Sequence, residues 1–164
     1  MNTLKKGNTD FRTYAVAVAI PLAVGILSAL LTKNNMDVYA ELNSPPLSPP
    51  SFLFPVVWTV LYVLMGISSA LIWKRRSQSI SAADTGLGVY ALSLAFNFAW
   101  SIIFFNMRAF AFSFLWLTAL ILLIVLTIIF YRKVSPAAAY LQIPYLIWCS
   151  FAWYLNLGIW ILNT

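Results

Sequence analysis

The sequence has few charged residues and no histidine. Only 9% of its 164 residues are charged and 62% are hydrophobic, whereas a soluble domain of this size carries about 25% charged residues. Water cannot solvate so weakly charged a compact body, so we expect the solvent around this chain to be lipid. The missing histidine also removes the commonest general base, the usual zinc ligand and the commonest haem axial ligand.

Acidic side chains are also scarce. The four carboxylates, Asp10, Asp37, Glu41 and Asp84, all lie outside the long apolar segments. Proton- and ion-coupled transporters keep ionisable residues within the membrane, so an ion-driven pump is disfavoured. No paired carboxylates, glycine-rich phosphate loop or nucleophile–base constellation appears, which disfavours the familiar enzyme classes. The single cysteine, Cys149, cannot form an intrachain disulfide and is interpreted as a small apolar filler.

Long apolar segments are what the sequence does contain. Five of them lack Lys, Arg, Asp and Glu and reach the length of about 20 residues that a helix needs to cross the hydrocarbon core. They predict an all-α integral membrane protein, a single domain over residues 1–164 with a bundle of five transmembrane helices. The predicted spans are residues 14–31, 53–73, 87–106, 109–130 and 137–162. The first is too long for a signal-peptide core of about 7–15 residues, so we expect it to remain uncleaved.

Local signals place the ends and bends of these spans. Ser135 followed by Pro136 predicts an N-cap with proline in the first turn of the fifth span. Asp84 can cap the third span, and a tight turn around Arg108 separates the third span from the fourth. Pro21 and Pro144 lie inside spans, where we expect kinks.

The connection between the first two spans is unusually long. It covers residues 32–50 and ends in the run Pro45-Pro46-Leu47-Ser48-Pro49-Pro50. Long loops in compact domains are often lids or binding loops, and prolines lower the entropic cost of holding one shape. We therefore expect an ordered lid over one end of the bundle.

The positive charges predict the orientation of the chain. The net charge is +6, but the charges form short clusters between apolar runs, which is typical of membrane topology rather than of a nucleic-acid partner. With five spans, the side of the membrane opposite the N-terminus receives only Lys33 and Arg108 of the ten Lys and Arg residues. The other eight lie with the N-terminus: Lys5, Lys6, Arg12, Lys74, Arg75, Arg76, Arg132 and Lys133. This asymmetry places the N-terminus in the cytoplasm, and the C-terminus and the first loop outside.

Aromatic side chains and one amide mark a candidate pocket. Residues three or four apart share a helix face, and three spans carry such sets. The sets are Trp58 with Tyr62, Asn97 with Trp100, and Tyr145 with Trp148 and Ala152. Together with an ordered lid, these faces predict an interior pocket for a flat apolar ligand.

Packing is the competing interpretation of every such set. An aromatic residue in a span more often packs or meets lipid than binds a ligand. For Asn97, an interhelical hydrogen bond is about as frequent a role as a ligand contact. The second stripe of the fifth span, Trp153, Asn156 and Trp160, is interpreted as packing.

Three segments in order along the chain resemble the translocator protein family, also called tryptophan-rich sensory proteins or peripheral-type benzodiazepine receptors. They are Pro45–Trp58 (PPLSPPSFLFPVVW), Ala95–Phe105 (AFNFAWSIIFF) and Pro144–Asn156 (PYLIWCSFAWYLN). The number of spans, the long first loop and the chain length also fit, so the resemblance covers nearly the whole chain.

The resemblance implies a five-helix bundle, often a homodimer, with a cavity beneath the first loop. Family members bind porphyrins, haem-like tetrapyrroles, and isoquinoline and benzodiazepine ligands, and the animal members bind cholesterol. The porphyrin or haem is then a ligand and not a cofactor. The family's pocket residues match, by position, Tyr39, Pro49, Trp58, Asn97, Trp100, Trp148 and Ala152.

Two departures from the family pattern narrow the range of ligands that we expect this chain to bind. Leu47 stands where the family loop usually has tryptophan, so one stacking surface is missing. No Lys or Arg follows Lys133, so the family's sterol-contact pattern is absent and sterol transport is disfavoured. The charge pattern and the lack of a mitochondrial address favour a bacterial plasma membrane.

Three functional hypotheses follow. The first is a membrane receptor or carrier that binds tetrapyrroles in the aromatic pocket. The second is an enzyme that degrades a bound porphyrin in light, with Trp58 and Trp148 reacting, although the sequence favours no catalytic role. The third is a scaffold whose aromatic faces bind only lipid and a partner chain.

The charge asymmetry gives a direct test of orientation. Cysteine introduced at Asn35 in the first loop, with Cys149 replaced, should react with a membrane-impermeant maleimide on intact cells. The reason is that the loop lies opposite the positive clusters, which stay in the cytoplasm. Labelling only after lysis would reverse the predicted topology.

Overall fold

A computed structural model describes residues 2–35 and 38–164, and helices make up most of these residues. The seven α-helices are α1 (Asn2–Thr32), α2 (Val38–Glu41), α3 (Leu53–Lys74), α4 (Ile80–Ser101), α5 (Phe110–Val134), α6 (Pro136–Leu141) and α7 (Ile143–Leu162). Five helical segments are long and apolar enough to cross a membrane: Asp10–Asn35, Leu53–Lys74, Ile80–Asn106, Phe110–Val134 and Pro136–Leu162. The predicted all-α membrane fold with five spans is therefore confirmed.

The five spans form a ring whose order differs from their order in the chain. Helix α1 packs on α3, the other side of α3 packs on α6, and both α6 and α7 pack on α5. Helix α5 packs on α4, and α4 returns to α1. The spans therefore follow the order first, second, fifth, fourth, third around the bundle, which brings the second and fifth spans together.

Helices α1 and α3 approach each other through glycine. A Cβ on Gly66 would lie 2.8 Å from the carbonyl oxygen of Ala17 and would also overlap the Val18 backbone. Lipid gives helices no hydrophobic drive to associate, so small residues that allow backbone contact favour the pairing.

The third span begins earlier than the sequence predicted. Helix α4 starts at Ile80 with Ser79 in the N-cap position, so Asp84 lies within the helix and the prediction that it caps the span is wrong. Asp84 instead accepts a hydrogen bond of 2.8 Å from the guanidinium of Arg76. That contact raises the pKa of Arg76. The polar segment that the hydropathy pattern left out of the span is therefore helical from Ile80 onward.

The fifth span is broken into two helices. Ser135 is its N-cap, with its hydroxyl accepting from the amide of Ala138 at 3.4 Å, as predicted. Helix α6 ends after one and a half turns, and Gln142 separates it from α7. The Gln142 side chain donates to the Ser68 hydroxyl at 3.2 Å. Pro144 lies in the first turn of α7, so the expected kink takes the form of this break.

The turn between the third and fourth spans lies where it was predicted. A short π-helix, Ile102–Asn106, ends the third span, and Arg108 adopts a left-handed conformation with φ 50°. The Asn106 amide donates to the Leu31 carbonyl at 3.0 Å. The turn is thereby tied to the end of α1, next to the first loop.

The α1–α3 contact predicts opposite outcomes for two glycine substitutions. Gly66→Ala should lower the free energy of unfolding in detergent by about 1–3 kcal/mol, because the new methyl group meets backbone that cannot move aside. Gly88→Ala is the control, since nothing lies within 4 Å of the added Cβ and alanine favours the helix. Equal unfolding temperatures for Gly66→Ala and the parent would contradict the close packing of α1 on α3.

Candidate functional site

The predicted pocket residues of α3 and α4 meet in the interior of the bundle. Asn97 is only 2% exposed, and its Oδ1 accepts a hydrogen bond of 2.9 Å from the Tyr62 hydroxyl. The Trp58 ring stacks on Tyr62 with centroids 5.4 Å apart. The helix faces identified from sequence spacing therefore point at one another across the interior of the ring.

Helix α7 supplies the opposite wall. Tyr145, Cys149 and Ala152 are buried along one stripe of this helix. The Tyr145 ring meets Trp58 edge-on at 6.2 Å. Tyr145 is absent from the residues that match the family pocket, yet its place on the Trp148 stripe was visible from helical spacing.

Two polar atoms in this region have no hydrogen-bond partner among the described residues. They are the Nδ2 of Asn97 and the hydroxyl of Tyr145. The Tyr145 hydroxyl lies close to the Asn97 side chain and to the Cys149 thiol, but its distances and angles to them do not make a hydrogen bond. An unsatisfied buried polar group costs about 1–3 kcal/mol. An acceptor atom placed between α3, α4 and α7 would satisfy both donors.

A second aromatic row runs from this region to the first loop. Tyr39 meets Phe54 edge-on at 5.3 Å, and Phe54 meets Trp148 in the same way at 5.9 Å. Phe54 was missed by the sequence analysis, although its position four residues before Trp58 places it on the same helix face. The row places Tyr39 and Trp148 in one cluster, and Pro49 lies half-buried in the loop.

Trp100 has a different environment from Asn97. Its indole nitrogen donates to Oδ1 of Asn156 at 3.2 Å. Asn156 also accepts from the Ser113 hydroxyl at 2.9 Å and donates to the Phe110 carbonyl at 3.0 Å. One buried amide therefore joins α4, α5 and α7, and the polar atom of Trp100 is occupied by the protein.

The other indoles of that stripe also pack between helices. Trp153 donates to the Thr118 hydroxyl at 2.8 Å, and Phe114 lies 4.8 Å from Trp153 and 5.9 Å from Trp160. These contacts between α5 and α7 support the interpretation of the stripe as packing.

The first loop is fastened to the end of α7. The Asn163 amide accepts from the backbone nitrogen of Asn43 at 3.0 Å and donates to its carbonyl at 2.9 Å. The Tyr154 hydroxyl donates to the Pro46 carbonyl at 2.9 Å. Pro45 is buried against Gly158, where a Cβ would overlap its ring. The described part of the loop is thus ordered over the end of the bundle that we call the loop end.

A groove of about 390 Å³ opens on the surface between α3 and α7. Seven of its eight lining side chains are aliphatic or proline, and the eighth is Trp148. The lining is Val56, Val57, Val60, Leu61, Leu64, Pro144, Ile147 and Trp148. Trp148 is the one residue of the predicted pocket that also faces this groove.

Known proteins resemble this chain over nearly its whole length. Residues 17–161 match the model of the TspO/MBR family. The chain is 35% identical to the tryptophan-rich protein TspO of Chlorobaculum tepidum over 95% of this chain and 99% of that protein. It is 40% identical to the translocator protein of Ovis aries over 74% and 72% of the two chains. It is 34% identical to protein CrtK of Rhodobacter capsulatus over 94% and 93%.

The three contacts of Asn156 predict a structural role for this residue. Asn156→Leu should lower the free energy of unfolding by about 1–3 kcal/mol, because the Trp100 indole N–H and the Phe110 carbonyl lose a buried partner. Unfolding in detergent, followed by circular dichroism, measures the change. Ser150→Ala is the control, since Ser150 is exposed and bonds only within its own helix. An Asn156→Leu variant as stable as Ser150→Ala would contradict this role.

Proposed function

Because the chain belongs to the TspO/MBR family, we propose that it is a membrane receptor or carrier for porphyrins or haem-like tetrapyrroles. Membership of the family supports a role in ligand binding or transport at a membrane. The proposed binding region lies inside the bundle between α3, α4 and α7, beneath the first loop. Isoquinoline and benzodiazepine compounds are proposed as synthetic ligands of the same region.

The observation that carries the proposal is the pair of unpartnered donors beside aromatic rings. Among the residues that the structure describes, the Asn97 amide nitrogen and the Tyr145 hydroxyl are buried without a hydrogen-bond partner, while Trp58 lies against Tyr145 and Tyr62. A polar group kept without a partner in a dry interior is costly unless a ligand meets it.

Tetrapyrroles and the smaller ligands share the chemistry that this arrangement suits. Each has a flat aromatic surface and at least one oxygen or nitrogen acceptor. The flat surface stacks on indole and phenol rings, which adds about 0.5–1.5 kcal/mol per aromatic pair to the gain from burial. The acceptor atom of the ligand accepts hydrogen bonds from the Asn97 amide nitrogen and the Tyr145 hydroxyl. In this proposal Trp58, which is half-buried, exchanges its stacking on Tyr62 for stacking on the ligand.

The assembly and the setting are also proposals. The chain would act as a homodimer in a bacterial plasma membrane, with membrane lipids around it and the first loop outside. The porphyrin or haem would be carried as a ligand, with no cofactor required.

Degradation of a bound porphyrin is the second candidate function. The oxidisable rings of Trp58, Tyr62 and Tyr145 are in direct contact, and they would lie beside the bound macrocycle. Mass spectrometry of protoporphyrin IX after illumination with the protein separates the two candidates. With a receptor, the loss of porphyrin equals the loss seen with light alone, whereas an enzyme that uses dissolved dioxygen as the oxidant yields additional open-chain products. Absence of any saturable binding would leave only the scaffold hypothesis.

The binding region predicts which tryptophans matter. Trp58→Phe and Trp148→Phe should each weaken protoporphyrin IX binding, because the smaller ring offers less stacking surface, while a bulky aromatic preserves the fold. The change is measured by titration and by quenching of tryptophan fluorescence.

Trp153→Phe and Trp160→Phe are the matched controls, since both indoles lie in the α5–α7 contact away from Asn97. They should leave the dissociation constant unchanged, although Trp153→Phe loses the bond to Thr118. Equal weakening by all four variants would show that the region between Trp58 and Trp148 is not the binding region.

A further inference from the structure

The candidate region is closed differently at the loop end and on the side between α3 and α7. We infer that its ligand exchanges sideways with the lipid bilayer, through the groove between α3 and α7, and that Trp148 is the gate. The first loop stays fastened during this exchange. The inference rests on the proposed function, because it concerns the route to that same binding region.

The loop end is fastened at two places. On one side, Asn163 binds both backbone groups of Asn43, and Tyr154 binds Pro46. On the other side, Asn35 donates to Asn106 at 2.9 Å. To open this end, the chain would have to break these bonds together, because the loop is held at both of its ends.

A second contact holds the first loop at each of these two places. Glu41 lies 3.8 Å from the guanidinium of Arg108, at the turn before α5. Pro45 fills the space above Gly158, and only a residue without a side chain leaves room for its ring. The loop therefore rests on α7 by shape as well as by hydrogen bonds.

Among the described residues, no hydrogen bond joins α3 to α7, and the two helices meet through the ring contacts of Phe54 with Trp148 and of Trp58 with Tyr145. Within the fifth span, helix α3 packs more on the short α6 than on α7, and the chain breaks at Gln142 before α7 begins. Beyond that break the two helices leave the groove between them, with Val56 58% and Ile147 64% exposed. These residues lie within membrane spans, so their exposed surface faces hydrocarbon. In the unliganded protein a lipid acyl chain would occupy the groove, because its lining is almost wholly apolar.

Trp148 connects this groove with the interior. It lines the groove and also meets Phe54, which continues to Tyr39. The next residue, Cys149, is fully inside the bundle, and Tyr145 lies one turn earlier on the same stripe. A change of the half-buried Trp148 side chain to another rotamer would join the groove to the region around Trp58. No hydrogen bond of the loop has to break for this movement.

Sideways exchange also suits the ligand. A flat apolar molecule partitions into the bilayer, where it meets the groove without crossing water. The path from the groove to Asn97 passes aromatic and aliphatic side chains, and the two unpartnered donors lie at its inner end. A carrier built in this way draws its ligand from the membrane and holds the polar group of the ligand deep inside.

The first experiment links the first loop covalently to the end of α7. In a Cys149→Ser background, Asn43→Cys and Asn163→Cys are joined by a short thiol-reactive crosslinker in lipid vesicles. Protoporphyrin IX is the probe, and quenching of tryptophan fluorescence in stopped flow gives the association and dissociation rates. The crosslinked and uncrosslinked proteins should exchange porphyrin at rates within about twofold of each other. A tenfold or greater slowing by the crosslink would show that the ligand passes the loop, and would overturn the inference.

The second experiment obstructs the groove. Val60→Trp places a bulky ring among the lining residues, away from Asn97 and Tyr145. Association and dissociation should both slow by about tenfold, while the dissociation constant changes by less than about twofold, because the obstruction raises the barrier without altering the bound state. Leu122→Trp is the control, since Leu122 is 61% exposed on α5, outside the groove. Unchanged rates in Val60→Trp, or equal slowing in the control, would overturn the inference.

Equilibrium titration of the parent protein distinguishes the two levels of failure. If the parent binds protoporphyrin IX but the loop crosslink slows its exchange, the inferred route is wrong and the proposed function stands. If the parent shows no saturable binding in vesicles, the proposed function fails and the inference fails with it.

Discussion

Hydrocarbon offers no hydrogen bonds, so each polar atom inside this bundle has to find its partner within the protein. That constraint explains the positions of most interior polar side chains. The Asn156 amide bonds groups from α4 and α5 to α7, and Gln142 reaches Ser68 across the break in the fifth span. The same constraint makes the exceptions informative. Among the described residues these exceptions are the hydroxyls of Tyr39, Tyr90, Tyr131 and Tyr145 and the amide nitrogen of Asn97. The amide nitrogen of Asn97 and the hydroxyl of Tyr145 lie where the aromatic faces of three helices converge.

Helix α7 takes part in every feature that concerns the proposed function. Its buried stripe forms one wall of the candidate region, and its last turns hold the first loop. Its other stripe packs on α5 through Trp153 and Asn156. Its first turns border the groove toward α3. The break at Gln142 divides this span into two parts with different contacts, since α6 packs more on α3 than α7 does.

Several predictions from the sequence agree with the structure for reasons that are local. The five spans, the Ser135 cap and the turn at Arg108 depend on residues close together in the chain. The prediction that Asp84 caps the third span is wrong because the helix begins earlier, at Ile80 with Ser79 in the N-cap position. Phe54 was left out of the candidate site although it lies four residues before Trp58 on the same face. Helical spacing did place Tyr145 on the pocket face, but it is absent from the residues that match the family pocket. The orientation in the membrane and the ligand remain predictions.

The sequence by itself determined the medium, the number of spans and the helix faces that meet inside. These follow from composition and spacing, since a charge-poor segment of sufficient length is stable in hydrocarbon whatever it packs against. Only the tertiary structure decided which polar atoms are satisfied and which are left free. Asn97 and Asn156 are both amides in apolar helices, and helical spacing, which assigns them to the pocket face and the packing stripe, does not show which of their polar atoms find a partner. Asn156 meets Trp100, Ser113 and Phe110 from two other helices, whereas one end of Asn97 meets none. The difference is decided by helices that are distant in sequence and adjacent in space.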